Sequence, residues 1–288
     1  MKITIQENRK QKTENFHKLV PKPKQKKMAK VIAPFKIIGT LDDLNFYVDE
    51  NNTNLVRTKG KTGVTSEEFK RNPIFTKVKN HGKEFGRAAK KGQNFRGVAL
   101  YFNKRAKDGS FSGRGNKLML EIIQEDTTNV QGERTFEKGL ENPETRTYFV
   151  GFEGNKLRPL KKTLKTNWTW DENNNTLTIA NFNPETHIDW PEKADNIHLA
   201  IANANWNYLE NKFETHYSQE VALKKEEETQ TIILTTEKLR TETETETETE
   251  TENCIQLVYL FIGFSTQERK KTKELKRANN TVTIIWSK

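Results

Sequence analysis

Apolar and polar residues alternate with two different periods along the chain. Between residues 32 and 60 the period is two, and a polar turn at 50–53 separates two such runs. This pattern predicts a β-hairpin. From residue 65 the spacing becomes helical, with a capping box at Thr65 and Glu68 and a helix start at Asn72-Pro73. Residues 28–125 are therefore predicted to be a β-hairpin followed by a basic helical region.

From about residue 145 the pattern is that of short strands. Ile197, Leu199 and Ile201 alternate with smaller or polar residues, and turn residues recur between six to eight such segments. The unbroken apolar run at 254–264 is typical of a central strand buried on both faces. The sequence thus predicts an α+β fold, in which an immunoglobulin-like antiparallel β-sandwich occupies residues 126–288.

Two segments lack the apolar residues that a core requires. Residues 1–27 are rich in Lys and Pro and are predicted to form a disordered basic extension. A start of translation at Met28 is one interpretation of this segment, and a genuine basic arm is the other. The six Thr-Glu repeats at 241–252 are predicted to form a solvated loop, because six glutamates on one strand face would repel each other.

Charge is distributed unevenly along the 288 residues, whose net charge is +10. Residues 1–120 contain 28 basic and 10 acidic side chains, whereas residues 121–288 contain 21 and 29. Such asymmetry fits either a polyanion partner or a solubilising surface.

Cys254 is the single cysteine, and neither a secretory signal nor a transmembrane run is evident. We therefore expect a cytoplasmic protein that does not associate with membranes.

A row of basic residues in the helical region is the candidate binding surface. Lys79, Lys83, Arg87 and Lys90 are spaced to share one helix face, which we call the basic stripe, and Arg96 lies just beyond. This face could follow the phosphates of a nucleic acid. The alternative interpretation is a solvated helix face that keeps a basic protein in solution.

No residue pattern predicts catalysis, a cofactor or a metal. The Gly-rich segment 110–117 departs from both phosphate-loop consensus patterns, and no strand precedes it. The five histidines lack zinc-type spacing. His187 and Asp189 share a predicted strand face, but no nucleophile motif accompanies them. We therefore expect no catalytic residue, no cofactor and no metal ligand.

Three groups of residues along the chain form recognisable motifs. Gly39-Thr40 is followed after four residues by Asn45-Phe46-Tyr47, and Arg71-Asn72-Pro73 precedes a Glu-Phe-Gly-Arg-Ala run at 84–88. The third group combines residues 261–264 with the closing strand at 282–286. Over residues 28–288 the chain resembles an uncharacterised protein family, a domain of unknown function frequent in Bacteroidota genomes. The resemblance implies a start near residue 28 and brings no catalytic residues.

These observations favour a non-enzymatic binding or assembly protein. Its sandwich would be the interaction module, and a protein partner or self-association is expected. A nucleic-acid-associated protein that uses the basic stripe within residues 71–107 is the alternative.

Overall fold

The computed structural model describes residues 28–30, 32, 35–58, 64–239, 253–268 and 271–288. Two compact units divide after Thr65. The basic extension predicted at 1–27 and the Thr-Glu loop predicted at 241–252 lie outside the described residues.

The first unit contains a four-stranded antiparallel sheet with the order β1-β4-β3-β2. Its strands are β1 (Met28–Lys30), β2 (Gly39–Leu41), β3 (Leu44–Val48) and β4 (Asn54–Thr58). The turn between β3 and β4 is held by the Asp49 carboxylate, which accepts hydrogen bonds from the amides of Asn51 and Thr53 at 3.0 and 2.7 Å. The predicted β-hairpin is confirmed.

The second unit begins with the helices. They are α1 (Ser66–Arg71), α2 (Thr76–Val98), α3 (Leu100–Ala106), α4 (Phe111–Gln124), α5 (Phe136–Gly139), α6 (Leu160–Thr163) and α7 (Pro184–His187). Asn72 caps the 3-10 turn before α2, and its side chain accepts a hydrogen bond from the Ile74 amide at 3.0 Å. The prediction that strands begin near residue 145 is wrong, because a 3-10 helix covers Pro143–Phe149 and α6 follows it.

Nine strands follow from residue 169 onward among the described residues. They are β5 (Thr169–Asp171), β6 (Thr176–Phe182), β7 (Asn196–Asn207), β8 (Lys212–Tyr217), β9 (Val221–Lys224), β10 (Gln230–Thr235), β11 (Cys254–Glu268), β12 (Lys271–Glu274) and β13 (Thr281–Ser287). The larger sheet has the order β12-β11-β7-β8, with β13 also paired to β11 and β9 also paired to β7. The smaller sheet has the order β10-β6-β5, and every pairing is antiparallel.

The larger sheet is buried on both faces. On β11, Tyr259 and Phe261 join the helices in one hydrophobic cluster, while Leu260 and Ile262 join the smaller sheet in another. The prediction that residues 254–264 form a central strand is therefore confirmed, as is the α+β class with antiparallel sheets. An immunoglobulin-like sandwich is not established by this arrangement, because helices cover one face of the larger sheet.

The helical region and the β half share one core. Phe95 on α2 packs against Trp206 on β7, with ring centroids 6.0 Å apart. The helices and the later strands thus belong to the same compact unit, which begins at Ser66.

Candidate functional site

Two members of the basic stripe hold a loop of the same chain. Lys83 forms a 2.9 Å ion pair with Glu133, and the Arg87 guanidinium donates to the carbonyl of Gly132. Between them the buried Glu84 carboxylate accepts a hydrogen bond from the Gly132 amide at 2.8 Å. These contacts give Lys83 and Arg87 a structural role in fixing the loop after α4.

The remaining stripe residues differ in their surroundings. Lys90 is exposed on α2, and Lys79 is partly exposed. Arg96 does not extend the stripe, because it donates to the side-chain oxygen of Asn116 on α4 at 2.8 Å. Burial lowers the pKa of the Arg96 guanidinium. Lys83 and Lys90 are thus exposed and Lys79 is partly exposed. However, the Lys79 ammonium donates to the Lys70 carbonyl at 3.0 Å, and Lys83 is paired with Glu133.

The Gly-rich segment does not form a phosphate cradle. Most of it belongs to α4, and its Arg114 forms a 2.9 Å ion pair with Asp108. The same guanidinium donates to the carbonyls of Glu153 and Gly154, both at 2.9 Å. The basic residue that would attract an anion is thus engaged within the fold.

His187 and Asp189 have different partners. The His187 Nδ1 accepts a hydrogen bond from the Asn183 amide at 3.1 Å, and Asp189 pairs with Arg158 at 2.5 Å. Within the described part of the chain, no group of three or more His, Cys, Asp or Glu side chains could hold a metal ion.

Arg105 on α3 is the centre of a charged cluster that the sequence did not reveal. Its guanidinium pairs with Glu274 at 2.8 Å and with Glu220 at 2.7 Å. It also lies 4.2 Å from the ring centroid of Phe261 and donates to the Tyr101 hydroxyl at 3.0 Å. The cluster ties α3 to the strands β11 and β12.

A serine, a histidine and a glutamate adjoin this cluster in the order of a catalytic triad. The Ser265 Oγ lies 2.7 Å from His198 Nε2, and the His198 Nδ1 lies 2.8 Å from Glu220. The contact with His198, together with that from Arg105, lowers the pKa of Glu220 to about 2. However, Ser265 is only 1% exposed and lies within β11, between two paired strands. This geometry favours a structural network over an accessible nucleophile.

The outer edge of β8 is an accessible candidate site. The Ser218 amide donates to the Ile201 carbonyl at 2.9 Å, just past the end of the β8–β7 ladder. Because hydrogen-bonded pairs alternate in an antiparallel ladder, the amides and carbonyls of Phe213, Thr215 and Tyr217 face away from β7. No described residue forms a hydrogen bond with these outward backbone groups.

Aromatic and aliphatic side chains flank this edge. Phe213 and Tyr217 on β8 are 46% and 38% exposed, and Leu100 and Tyr101 on α3 are 46% and 53% exposed. Tyr101 and Tyr217 contact each other edge to face at 5.6 Å. The Phe213 ring rests against Gly97, where an added Cβ would lie 3.1 Å from the ring. We call the outward backbone of residues 213–217 together with these four side chains the β8 edge.

Other strand edges in this unit carry features that oppose pairing. β12, at the opposite side of the larger sheet, exposes Lys271, Lys273 and Glu274. The edge strand β10 has a register shift between Gln230 and Ile232. Charged residues, especially lysines, and bulges are common protections of strand edges. The β8 edge instead presents aromatic rings.

Comparisons with protein-family models, with curated proteins and with solved structures found no match. The family resemblance therefore stays a prediction. Among the helices of the described ranges, none has the length and apolarity needed to cross a bilayer.

Proposed function

We propose that this chain is a non-enzymatic binding or assembly protein, and that the β8 edge is where it binds another polypeptide. The observation that carries the proposal is the outward backbone of Phe213, Thr215 and Tyr217 beside exposed rings. An added strand binds such an edge through main-chain hydrogen bonds, and adjacent side chains give specificity. The two-sheet half is the proposed interaction module, and its immunoglobulin-like topology stays a prediction.

The polar cluster around Arg105 supports the non-enzymatic part of the proposal. Arg105, Glu220 and Glu274 already satisfy one another, and the Ser265 hydroxyl is buried against His198. An active site normally presents its reactive groups to a concave, accessible pocket. This cluster instead fastens a helix to the sheet.

A pair of substitutions at Thr215 tests the proposal. Thr215→Pro removes the outward amide, whereas Thr215→Val keeps it, and both lose the side-chain hydrogen bond to the Val98 carbonyl. Proline is tolerated on edge strands where the amide faces solvent. The two variants therefore differ mainly in the ability of the edge to pair.

Random peptides displayed on phage can be selected against the wild-type chain and assayed on both variants. We expect peptides that bind the wild type and Thr215→Val alike but bind Thr215→Pro about tenfold more weakly, the cost of losing about one main-chain hydrogen bond. Enriched peptides that bind all three proteins equally would contradict the proposal. So would the absence of any enrichment in a chain that stays monomeric.

The alternative function is nucleic-acid association through the basic stripe. It is supported by Lys90, which is exposed on α2, and by Lys79, which is partly exposed. Binding of a labelled DNA duplex should then weaken steeply with salt, because phosphate contacts release counterions. Replacing both lysines with Glu should abolish binding, and no binding at low salt would rule the alternative out.

A further inference from the structure

We infer that the strand bound at the β8 edge is β8 of a second copy of this chain, paired antiparallel about a two-fold axis through Thr215. The inference rests on the binding function proposed above and names its partner. It follows from which β8 residues direct their amide and carbonyl away from β7, and from the order of side chains along the strand.

The backbone phase restricts the allowed registers. A two-fold axis through Thr215 places Thr215 opposite its own copy and Phe213 opposite Tyr217 of the second copy. All three residues direct an amide and a carbonyl outward. Each facing pair can therefore exchange two hydrogen bonds, as in an ordinary antiparallel ladder. In a register shifted by one residue, each residue with an outward amide and carbonyl would face a residue of the second copy whose amide and carbonyl point to its own β7. The ladder could then not form.

Two registers bring outward groups opposite each other and pair most of β8 with its copy, one with the axis through Glu214 and one with the axis through Thr215. The order of side chains along the strand selects between them. An axis through Glu214 would place two glutamates directly opposite each other, which is destabilising. An axis through Thr215 places Glu214 opposite His216 of the second copy. It also pairs an aromatic ring with another on the helix-facing side, a favourable cross-strand combination. The sequence from Phe213 to Tyr217 is thus self-complementary about its central threonine.

The side chains that would meet are already held in place. Phe213 rests on Gly97, and Tyr217 packs edge to face on both Tyr101 and Phe102, at 5.6 and 5.0 Å. Ordering of side chains is a substantial cost of association, and groups fixed beforehand avoid it. The resulting interface would be isologous, as in most homodimers.

Cysteine cross-linking in a Cys254→Ser background tests the register. Facing residues of a hydrogen-bonded antiparallel pair have Cα atoms about 5.5 Å apart, within the range of a disulfide. Thr215→Cys is therefore expected to form a covalent dimer on mild oxidation. Phe213→Cys alone should not, because the two copies of that residue would be four positions apart along the strand, about 14 Å. Adding Tyr217→Cys to Phe213→Cys should restore the link.

Sedimentation equilibrium supplies the independent measurement. We expect a concentration-dependent dimer for the wild type, the Cys254→Ser parent and Thr215→Val. Thr215→Pro should raise the dimer dissociation constant on the order of a hundredfold, since two main-chain hydrogen bonds are lost across the axis.

The outcomes separate the inference from the proposed function. If Thr215→Cys remains unlinked or Phe213→Cys links alone, the inferred register is overturned. A wild-type chain that is monomeric at all concentrations also overturns the inference, while peptides that bind the edge in the Thr215-dependent way would leave the binding function standing. A monomer that binds no such peptide refutes both.

Discussion

Replacing Glu220 with Gln is expected to lower stability in a pH-dependent way. The contacts with His198 and Arg105 lower the pKa of the Glu220 carboxyl from 4.5 to about 2 in the folded chain. Because the folded-state pKa is below the unfolded value, the ionised carboxylate stabilises the fold. This contribution is fully present above about pH 4.5 and is lost as the pH falls toward 2.

The magnitude follows from the size of the pKa difference. A fall from 4.5 to about 2 sets an upper limit of about 3.5 kcal/mol, at about 1.4 kcal/mol per pKa unit. The Glu220 side chain is 29% exposed, and solvent screening reduces the value to roughly 1–2 kcal/mol. Glutamine keeps the shape and one acceptor oxygen, so we expect a deficit in this range at neutral pH.

Urea unfolding monitored by tryptophan fluorescence measures the effect, since Trp206 is fully buried. The difference between wild type and Glu220→Gln should be largest near pH 7 and should shrink to less than half near pH 3. Glu185→Gln, at an exposed carboxylate on α7, serves as the matched control. A deficit that is the same at both pH values would refute the reasoning, as would no deficit at neutral pH.

Three further substitutions test the packing by urea unfolding. Gly139→Ala should lower the free energy of unfolding by about 2 kcal/mol or more, because the added Cβ would lie 1.9 Å from the Ile122 carbonyl oxygen. A variant as stable as the wild type would contradict this packing. Phe261→Ala should cost about 3–5 kcal/mol, and a loss under about 1 kcal/mol would show that the side chain is not in the core. Lys83→Glu with Arg87→Glu should cost about 1–2 kcal/mol by releasing the loop after α4. Lys79→Glu with Lys90→Glu, the control pair outside that loop contact, should cost little.

Local patterns predicted those elements whose determinants lie close together in sequence. The hairpin turn at 50–53 and the start of the helices near residue 65 depend on neighbouring residues, and both are present. The run at 254–264 was recognisable because it contains no charged or amide side chain from Leu257 to Phe264, which is typical of a strand covered on both faces.

The orientation of α2 was not predictable from its apolar residues. Val78 and Phe85 on α2 recur at helical spacing with Ile74 in the 3-10 turn before it, yet the three side chains are 57%, 46% and 75% exposed, respectively. The buried face instead includes Glu84 and Ala88, a charged and a small residue that hydrophobic periodicity does not mark. Small residues let α2 approach its neighbours closely, and Glu84 is buried because it satisfies a loop amide.

The candidate sites depend on strand order, which a single sequence does not specify. The alternation at Phe213, Thr215 and Tyr217 predicts a strand, but only the pairing of β7 with β8 makes that strand an edge. Likewise Arg105 and Glu274 are 169 positions apart and meet only because α3 packs on the sheet. Fold-level contacts, rather than motifs, create both features.

Residue-resolved hydrogen exchange at the β8 edge tests the central claim most directly. In dilute protein the amides of Phe213, Thr215 and Tyr217 should exchange rapidly, while those of Glu214 and His216, which face β7, should be protected. At high protein concentration the three outward amides should become protected as well. Protection of all five at every concentration, or rapid exchange of Glu214 and His216 instead, would contradict the account.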